Sequence, residues 1–168
     1  MPITNAQLDE LAAAAARPDQ PAALLKAIAG VAAAALEAAL VTAMRFDEAA
    51  MEVERVFSSD PGAYPVGGRK RKRDTAWGRQ VLIERKVFVG EGEAAIRAAF
   101  DDHPKILGLG LRAVINVPVV FGGACLGTVN VLTRRDRVSP EEVVLCRHLA
   151  LVATPALLVA GNAPSDRP

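Results

Sequence analysis

The sequence is poor in cysteine and in aromatic residues, with two cysteines and 4% Phe, Trp and Tyr among 168 residues. Two cysteines provide no disulfide framework, so a small disulfide-stapled secreted fold is excluded. The first ten residues lack the basic flank and the apolar core of a secretory leader. We therefore expect a reduced, cytoplasmic protein.

Long uninterrupted apolar segments are also missing. The two most apolar stretches, residues 22–41 and 143–160, are interrupted by charged residues or proline, and the first is mostly alanine. Neither stretch predicts a membrane span. Hydrophobic residues still make up 51% of the chain, which is typical of a globular protein, and the length fits one domain with a packed core.

Positive charge is concentrated in one run of five cations, from Arg69 to Arg73. Without this run, 15 basic residues face 19 acidic ones. Nucleic-acid-binding proteins usually spread positive charge over a face and add aromatic stacking residues, whereas only Tyr64 and Trp77 flank the run. Specific nucleic-acid binding is therefore not expected.

The basic run lies in a segment, residues 58–74, that is rich in Gly, Pro, Ser and Asp. This composition predicts a long loop in which the five like charges are solvated and mobile. An alternative role for the run is a positive rim that steers an anionic ligand into a pocket.

The order of the remaining patterns predicts an α+β fold. Alanine-rich helices come first, two strand-like segments follow around residues 41–57, and two more strands occupy residues 111–133. Ser139, Pro140 and Glu142 then form a capping-box pattern that begins a final helix. This order implies an antiparallel sheet with helices packed on it.

Alternation in the last two strands assigns their side chains to two faces. In each strand, every second side chain is apolar or small, which predicts a face packed against helices. A three-residue loop at 121–123 would place Val119 and Cys125 on this same helix-facing side. The opposite face then collects Arg112, Asn116, Thr128 and Asn130. Buried polar groups need partners, and these partners are either a small ligand or nearby backbone and water.

The segments DTAWGRQVLIERKVFVGE and LGLRAVINVPVVFGGACLGTVNVLT, with the helix after them, resemble a GAF domain over roughly residues 20–160. The chain is most similar to the small stand-alone bacterial GAF proteins. The resemblance implies about six antiparallel strands, terminal helices on one face, and a ligand pocket on the other face beneath residues 58–110. Residues 1–19 would be an N-terminal helical extension and residues 161–168 a flexible tail.

GAF domains are mostly sensory modules for small molecules, and some only dimerise. The members that bind bilin covalently carry a Cys close to a His before the Val-Pro strand, where this chain has Asp101, Asp102 and His103. A carboxylate forms no thioether, so covalent bilin is not expected. The Asn-Lys-x-x-x-Phe-Asp-x-x-Asp signature that cyclic-nucleotide-binding members carry after the last strand is absent, since this region reads TRRDRVSPEE. This argues against cyclic GMP, and no cofactor is expected.

One enzymatic branch of the family, the free methionine sulfoxide reductases, uses a pocket thiolate and resolving cysteines. Residues 1–124 contain no cysteine, which argues against this redox alternative. Cys146 and His148 lie about 200° apart around a helix and cannot share a metal. We predict a non-enzymatic sensor without catalytic or metal-binding residues, with a dimerisation or scaffold module as the rival.

The predicted small-molecule site contains six residues: Tyr64, Trp77, Arg112, Asn116, Thr128 and Asn130. Arg112 is the expected contact for an anionic ligand, because a guanidinium binds two oxygens at once.

A homodimer is also predicted, because the terminal helices offer more apolar surface than one sheet face needs. The residues concerned are the N-terminal alanines and Val143, Val144, Leu149, Val152 and Leu158. A pairing of Cys125 with Cys146 is a further alternative, although a cytoplasmic thiol pair is usually reduced.

Overall fold

The computed structural model describes residues 2–162. Its strands are β1 (Leu40–Asp47), β2 (Glu52–Ser58), β3 (Arg69–Arg71), β4 (Phe88–Glu91), β5 (Ala113–Phe121) and β6 (Ala124–Thr133). They form one antiparallel sheet in the order β3-β2-β1-β6-β5-β4. The helices are α1 (Asn5–Ala15), α2 (Ala22–Leu36), α3 (Gly92–Ala99), α4 (His103–Gly108), α5 (Pro140–Val152) and α6 (Thr154–Asn162), and a π-helix spans Gly78–Ile83. The predicted α+β fold with a six-stranded antiparallel sheet is confirmed.

The helices α1, α2, α5 and α6 cover one face of the sheet. The apolar parities of β5 and β6 pack there against the buried faces of these helices. The capping box predicted at Ser139 begins α5, with the Glu142 carboxylate accepting from the Ser139 amide at 2.7 Å. Leu149, which the sequence assigned to a dimer surface, is instead fully buried in this core.

Only the first two residues of the tail predicted over residues 161–168 belong to the described part of the chain. Gly161 and Asn162 belong to the last turn of α6, and the rest of the predicted flexible tail lies outside the described residues. Within residues 2–162 no single helix is long and apolar enough to cross a membrane. By length and composition alone, one pair, α5 with α6, meets the requirement together, with a bend of 44° between the two helices.

A bulge in β6 makes the predicted position of Cys125 wrong. Val119 pairs with Gly127 and Val120 pairs with Cys125, which leaves Leu126 as an extra residue in β6. The extra residue reverses the alternation beyond it. Leu126 therefore packs on the helix side, and Cys125 packs on the opposite side of the sheet from Val119.

The two cysteines consequently lie in different layers. Cys146 is fully buried in the helix-side core, whereas Cys125 joins the cluster around Trp77. Both thiols are free. The suggested Cys125–Cys146 pairing is incompatible with this placement.

The first three residues of the basic run form a strand rather than a loop, so the loop prediction for residues 58–74 is wrong at this point. Arg69–Arg71 forms β3, in which Lys70 lies opposite Val53 of β2. Strand alternation directs Lys70 and Lys72 toward the face without terminal helices, while Arg71 is exposed. Three residues carry too short a pattern to recognise, because their strand conformation comes from pairing with β2.

Candidate small-molecule site

A cavity lies on the second face of the sheet, bordered by the edge strand β3, the π-helix, α4 and the loops before β3 and after α3. Its volume is about 60 Å³. A water molecule needs roughly 10–15 Å³ on this measure, so the space fits several waters or one compact organic molecule. The apolar part of the lining consists of Leu40, Met44, Phe100, Ile106, Val114 and Leu132.

A chain of hydrogen bonds crosses the floor of the cavity from the π-helix to β1. The indole Nε1 of Trp77 donates to Asn116 Oδ1 at 2.9 Å, and Asn116 Nδ2 donates to Asn130 Oδ1 at 2.8 Å. Asn130 Nδ2 then donates to Thr42 Oγ1 at 3.1 Å. The strand register produces this chain, because Asn130 lies opposite both Asn116 and Thr42.

Trp77 fixes the direction of the whole chain. An indole nitrogen can only donate, so the Asn116 amide must present its oxygen to Trp77 and its nitrogen to Asn130. The same constraint passes to Asn130. Each of the two amide nitrogens has a second N–H that these hydrogen bonds do not use, and the Thr42 hydroxyl still has its proton to donate. The floor therefore offers hydrogen-bond donors to the cavity.

Trp77 is placed by the turn that follows the basic run. The Thr75 hydroxyl accepts from the Gly78 amide at 3.0 Å, which caps the start of the helical segment. The Lys72 ammonium lies 4.8 Å from the centre of the Trp77 ring. Burial, followed by the charge of Lys70, lowers the pKa of Lys72.

Asp102 joins the elements that cover the cavity. Its carboxylate forms an ion pair with Lys70 of β3 at 3.1 Å and accepts from the Tyr64 hydroxyl at 3.2 Å. Burial opposes its ionisation, but Lys70, a backbone hydrogen bond and Tyr64 together hold the pKa of Asp102 below its ordinary value. Burial and the nearby Asp102 charge raise the pKa of Tyr64, so Tyr64 is a neutral phenol at physiological pH.

Arg55 is the most buried charged residue of the lining, with 7% of its surface exposed. Its Nη1 donates to the Pro65 carbonyl at 3.0 Å, and its Cζ lies 4.9 Å from the centre of the Tyr64 ring. Its Nε has no hydrogen-bond partner among the described residues. Burial lowers the pKa of Arg55, but an arginine remains charged.

A model of the GAF domain family matches residues 20–157. The chain belongs to the GAF domain family. GAF domains are generally sensory and regulatory domains, many of which bind ligands. No curated protein matches the chain.

Solved GAF structures share the fold of this GAF domain. The GAF domain of a Coxiella burnetii phosphoenolpyruvate-protein phosphotransferase has a TM-score of 0.73 at 20% identity, covering 94% of this chain and 97% of that one. Its Acinetobacter counterpart has a TM-score of 0.69 at 16% identity, covering 94% and 96%. The chromophore-binding domain of a bacteriophytochrome from R. palustris has a TM-score of 0.67 at 13% identity, covering 94% and 61%. At these identities the likeness shows the fold alone.

The GAF cavity brings together four of the six residues that the sequence selected. Tyr64, Trp77, Asn116 and Asn130 all line it. Thr128 lies on the same face of the sheet but does not line the cavity. It is fully buried with its hydroxyl unpartnered among residues 2–162, in a part of β6 that the π-helix approaches.

Arg112 does not border the cavity, so the anion contact predicted there is wrong. It precedes β5, and its guanidinium donates to the carbonyls of Leu107 and Leu111 at 3.3 and 3.1 Å. Arg112 therefore satisfies backbone acceptors at the end of α4 and the turn after it.

The cavity also contains charged residues that the sequence analysis did not select, namely Arg55, Lys70, Lys72 and Asp102. Arg55 had a recognisable signal, since it shares an inward strand parity with Val53 and a charge there is unusual. Lys70 and Lys72 belong to the basic run, for which a positive rim beside a pocket was the alternative prediction, but their direction toward the cavity was not predicted because β3 was not recognised. No group of three or more metal-ligating side chains occurs in the part of the chain that the structure describes.

Proposed function

We propose that this GAF domain is a non-enzymatic sensory module that binds a small organic molecule in the cavity that the sheet, including its edge strand β3, forms with the π-helix and α4. The observation that carries the proposal is the oriented hydrogen-bond chain from Trp77 to Thr42 beneath apolar walls. Ligand sites commonly combine such walls with a few fixed polar groups.

The charges of the lining favour an anionic ligand. Arg55, Lys70 and Lys72 carry three positive charges, and Asp102 carries the one negative charge among the lining residues. Asp102 is engaged by Lys70. A ligand with negative charge would compensate the remaining excess, and desolvated charges gain most from such a partner.

The elements above the cavity can transmit the presence of a ligand to the protein surface. Lys70 and Lys72 face the cavity, while Arg71 between them is exposed on an edge strand. A ligand that contacts Lys70 would compete with Asp102 for its ammonium, which would change how firmly β3 and α4 are joined. A ligand-dependent change at this edge is the signal we propose.

The thiol chemistry supports a non-enzymatic function. Burial raises the pKa of Cys125, and burial raises the pKa of Cys146 to about 12. Both groups are therefore thiols at neutral pH, whereas a reductase needs a thiolate nucleophile. The homodimer and the cytoplasmic location stay predictions.

A thermal-shift screen of the full chain against amino acids, organic acids, nucleotides and sugars tests the proposal, because a ligand that binds only the folded state raises Tm. Hits are then titrated by tryptophan emission. Trp77 is the only tryptophan and it lines the cavity, so its emission reports this site.

Asn130→Ser replaces the amide in the middle of the hydrogen-bonded floor with a shorter hydroxyl. It should weaken the binding of each compound that occupies the cavity. Asn162→Ser at the far end of α6 is the matched control and should leave the hits unchanged. A screen without hits, together with a native mass equal to that of the bare chain, would instead support a scaffold module.

A further inference from the structure

We infer that the cavity recognises a compact carboxylic acid. Its carboxylate binds the free edge of the Arg55 guanidinium, and a further oxygen, outside the carboxylate, accepts from the Asn116–Asn130–Thr42 floor. This inference rests on the proposed function and names the ligand class of the same site.

Arg55 is held so that one edge of its guanidinium stays free. Its backbone pairs with the loop before β3, donating to Gly68 O at 2.9 Å and accepting from Gly67 N at 2.8 Å. Its Nη1 is bound to Pro65 O. A Cβ on Gly68 would lie 2.9 Å from that Nη1, so a glycine at 68 leaves room for the guanidinium. The side chain is thus fixed from the Nη1 end.

The edge formed by Nε and Nη2 is the one left without a partner. Nε is buried, and no hydrogen bond satisfies it among the described residues. No carboxylate of residues 2–162 lies within ion-pair distance of Arg55, since the nearby Asp102 pairs with Lys70. This edge presents two parallel N–H groups, which match the two oxygens of a carboxylate.

A buried charge with an unsatisfied donor is costly, and proteins rarely retain one without a partner. The structure offers no partner for this edge from its own described side chains. The Tyr64 ring covers the guanidinium at 4.9 Å, which helps to hold the charge in place but supplies no acceptor. An acceptor from a ligand completes the arrangement.

The floor and the volume restrict the rest of the ligand. Asn116, Asn130 and Thr42 each keep a donor, so a ligand oxygen that accepts fits the floor better than an ammonium group. A volume of about 60 Å³ corresponds to about four to six non-hydrogen atoms when each occupies roughly the space of one water. Short 2-oxo and 2-hydroxy acids meet both conditions.

Calorimetric titration of the full chain with sodium pyruvate, sodium lactate, lactamide and inorganic phosphate tests the inference. Lactamide has the shape of lactate without its charge, and phosphate has charge without the apolar body. We expect pyruvate or lactate to bind at least tenfold more tightly than lactamide and phosphate.

The matched variants are Arg55→Lys and Arg71→Lys. Arg55→Lys keeps the positive charge but removes Nε and the paired edge, so it should weaken the carboxylate at least tenfold. Arg71 is exposed on the adjacent β3, and Arg71→Lys should bind as the unaltered chain does. The comparison of lactate with lactamide uses the unaltered chain, so it decides the question even where Arg55→Lys does not fold.

The inference is overturned if lactamide or phosphate binds as tightly as lactate. It is also overturned if folded Arg55→Lys binds lactate with the affinity of the unaltered chain. The same holds where no short carboxylic acid binds but another compound from the screen does, and the proposed sensory function then stands. If no compound binds at all, the proposed function fails with it.

Discussion

Trp77 is the residue on which the order of the cavity floor depends. Trp77→Phe keeps an aromatic ring but removes the indole N–H, which among the described residues is the one donor to Asn116 Oδ1. This leaves a buried acceptor unpaired and removes the constraint on both amides. We expect the free energy of unfolding to fall by about 1–3 kcal/mol. Urea denaturation followed by far-UV circular dichroism measures it, since the variant has no tryptophan emission.

Phe100→Leu is the control for Trp77→Phe, because it removes ring area from the same lining without breaking a hydrogen bond. A Trp77→Phe variant as stable as the unaltered chain would show that the indole donor does not hold the floor.

Two arginines show why single residues of the site were hard to predict. Arg112, just before β5, shares the alternation of Asn116, but it does not border the cavity and its guanidinium is taken by backbone carbonyls. Arg55 belongs to a strand that was recognised, and its inward parity was not weighed. The polar pair Asn116 and Asn130 was found because two regular strands with a clear apolar parity fixed their face.

At the level of elements, Gly127 of β6 lies directly against the backbone of β1 at Met44 and Arg45. A Cβ there would lie 1.9 Å from Met44 O, and φ is 155°. Gly127→Ala must separate the two central strands, so we expect a loss of about 3 kcal/mol or more in the free energy of unfolding. Thermal and urea unfolding measure this loss.

Gly108→Ala is the matched substitution, because nothing lies within 4 Å of its Cβ position at the end of α4. It should change stability by less than about 0.5 kcal/mol. If Gly127→Ala were equally mild, the close contact between β1 and β6 would not constrain the sheet.

The link between β3 and α4 predicts a dependence on acid pH. The pKa of Asp102 is lower in the folded than in the unfolded chain, so the folded state binds fewer protons between the two values. The contribution of Asp102 is therefore present above about pH 4, near the ordinary pKa of an aspartate, and is lost as the pH falls through the folded-state pKa.

Asp102→Asn should remove this contribution and lower the stability at pH 7 by about 1 kcal/mol. The difference from the unaltered chain should shrink below about pH 4, as measured by urea denaturation at several pH values. Asp101→Asn, at the exposed neighbouring position, serves as the control. A difference that is the same at pH 3 and pH 7 would contradict an ionic role for Asp102.

Elements with long, regular patterns were predictable, and elements made by tertiary pairing were not. The two-strand pattern over residues 111–133 and the capping box at Ser139 both formed as expected. The bulge at Leu126 reversed the face of Cys125 without any local mark in the sequence beyond the glycine after it. The strand Arg69–Arg71 depends on β2 for its hydrogen bonds, so its composition alone indicated a loop.

For the whole molecule, the fold follows from soft patterns of apolar and small residues that many sequences satisfy. Solved GAF domains at 13–20% identity cover 94% of the chain. The charged side chains that line the cavity are not specified by the fold. This is why the GAF architecture could be predicted from the sequence, whereas the basic run was offered as a rim only as an alternative and Arg55 was not selected.

The last prediction concerns the assembly of the whole chain. Val144, Leu151, Leu158 and Val159 are exposed on α5 and α6, with 69% of Leu151 accessible. Val144 and Leu151 are two helical turns apart, so they lie on the same side of α5. We predict a homodimer through this surface, with a light-scattering mass twice the 17.7 kDa of one chain. Leu151→Glu should yield monomers, because it would bury a charge in an apolar contact. Val66→Glu, on the exposed loop before β3, should remain dimeric, and a monomeric mass for the unaltered chain at micromolar concentration would contradict the prediction.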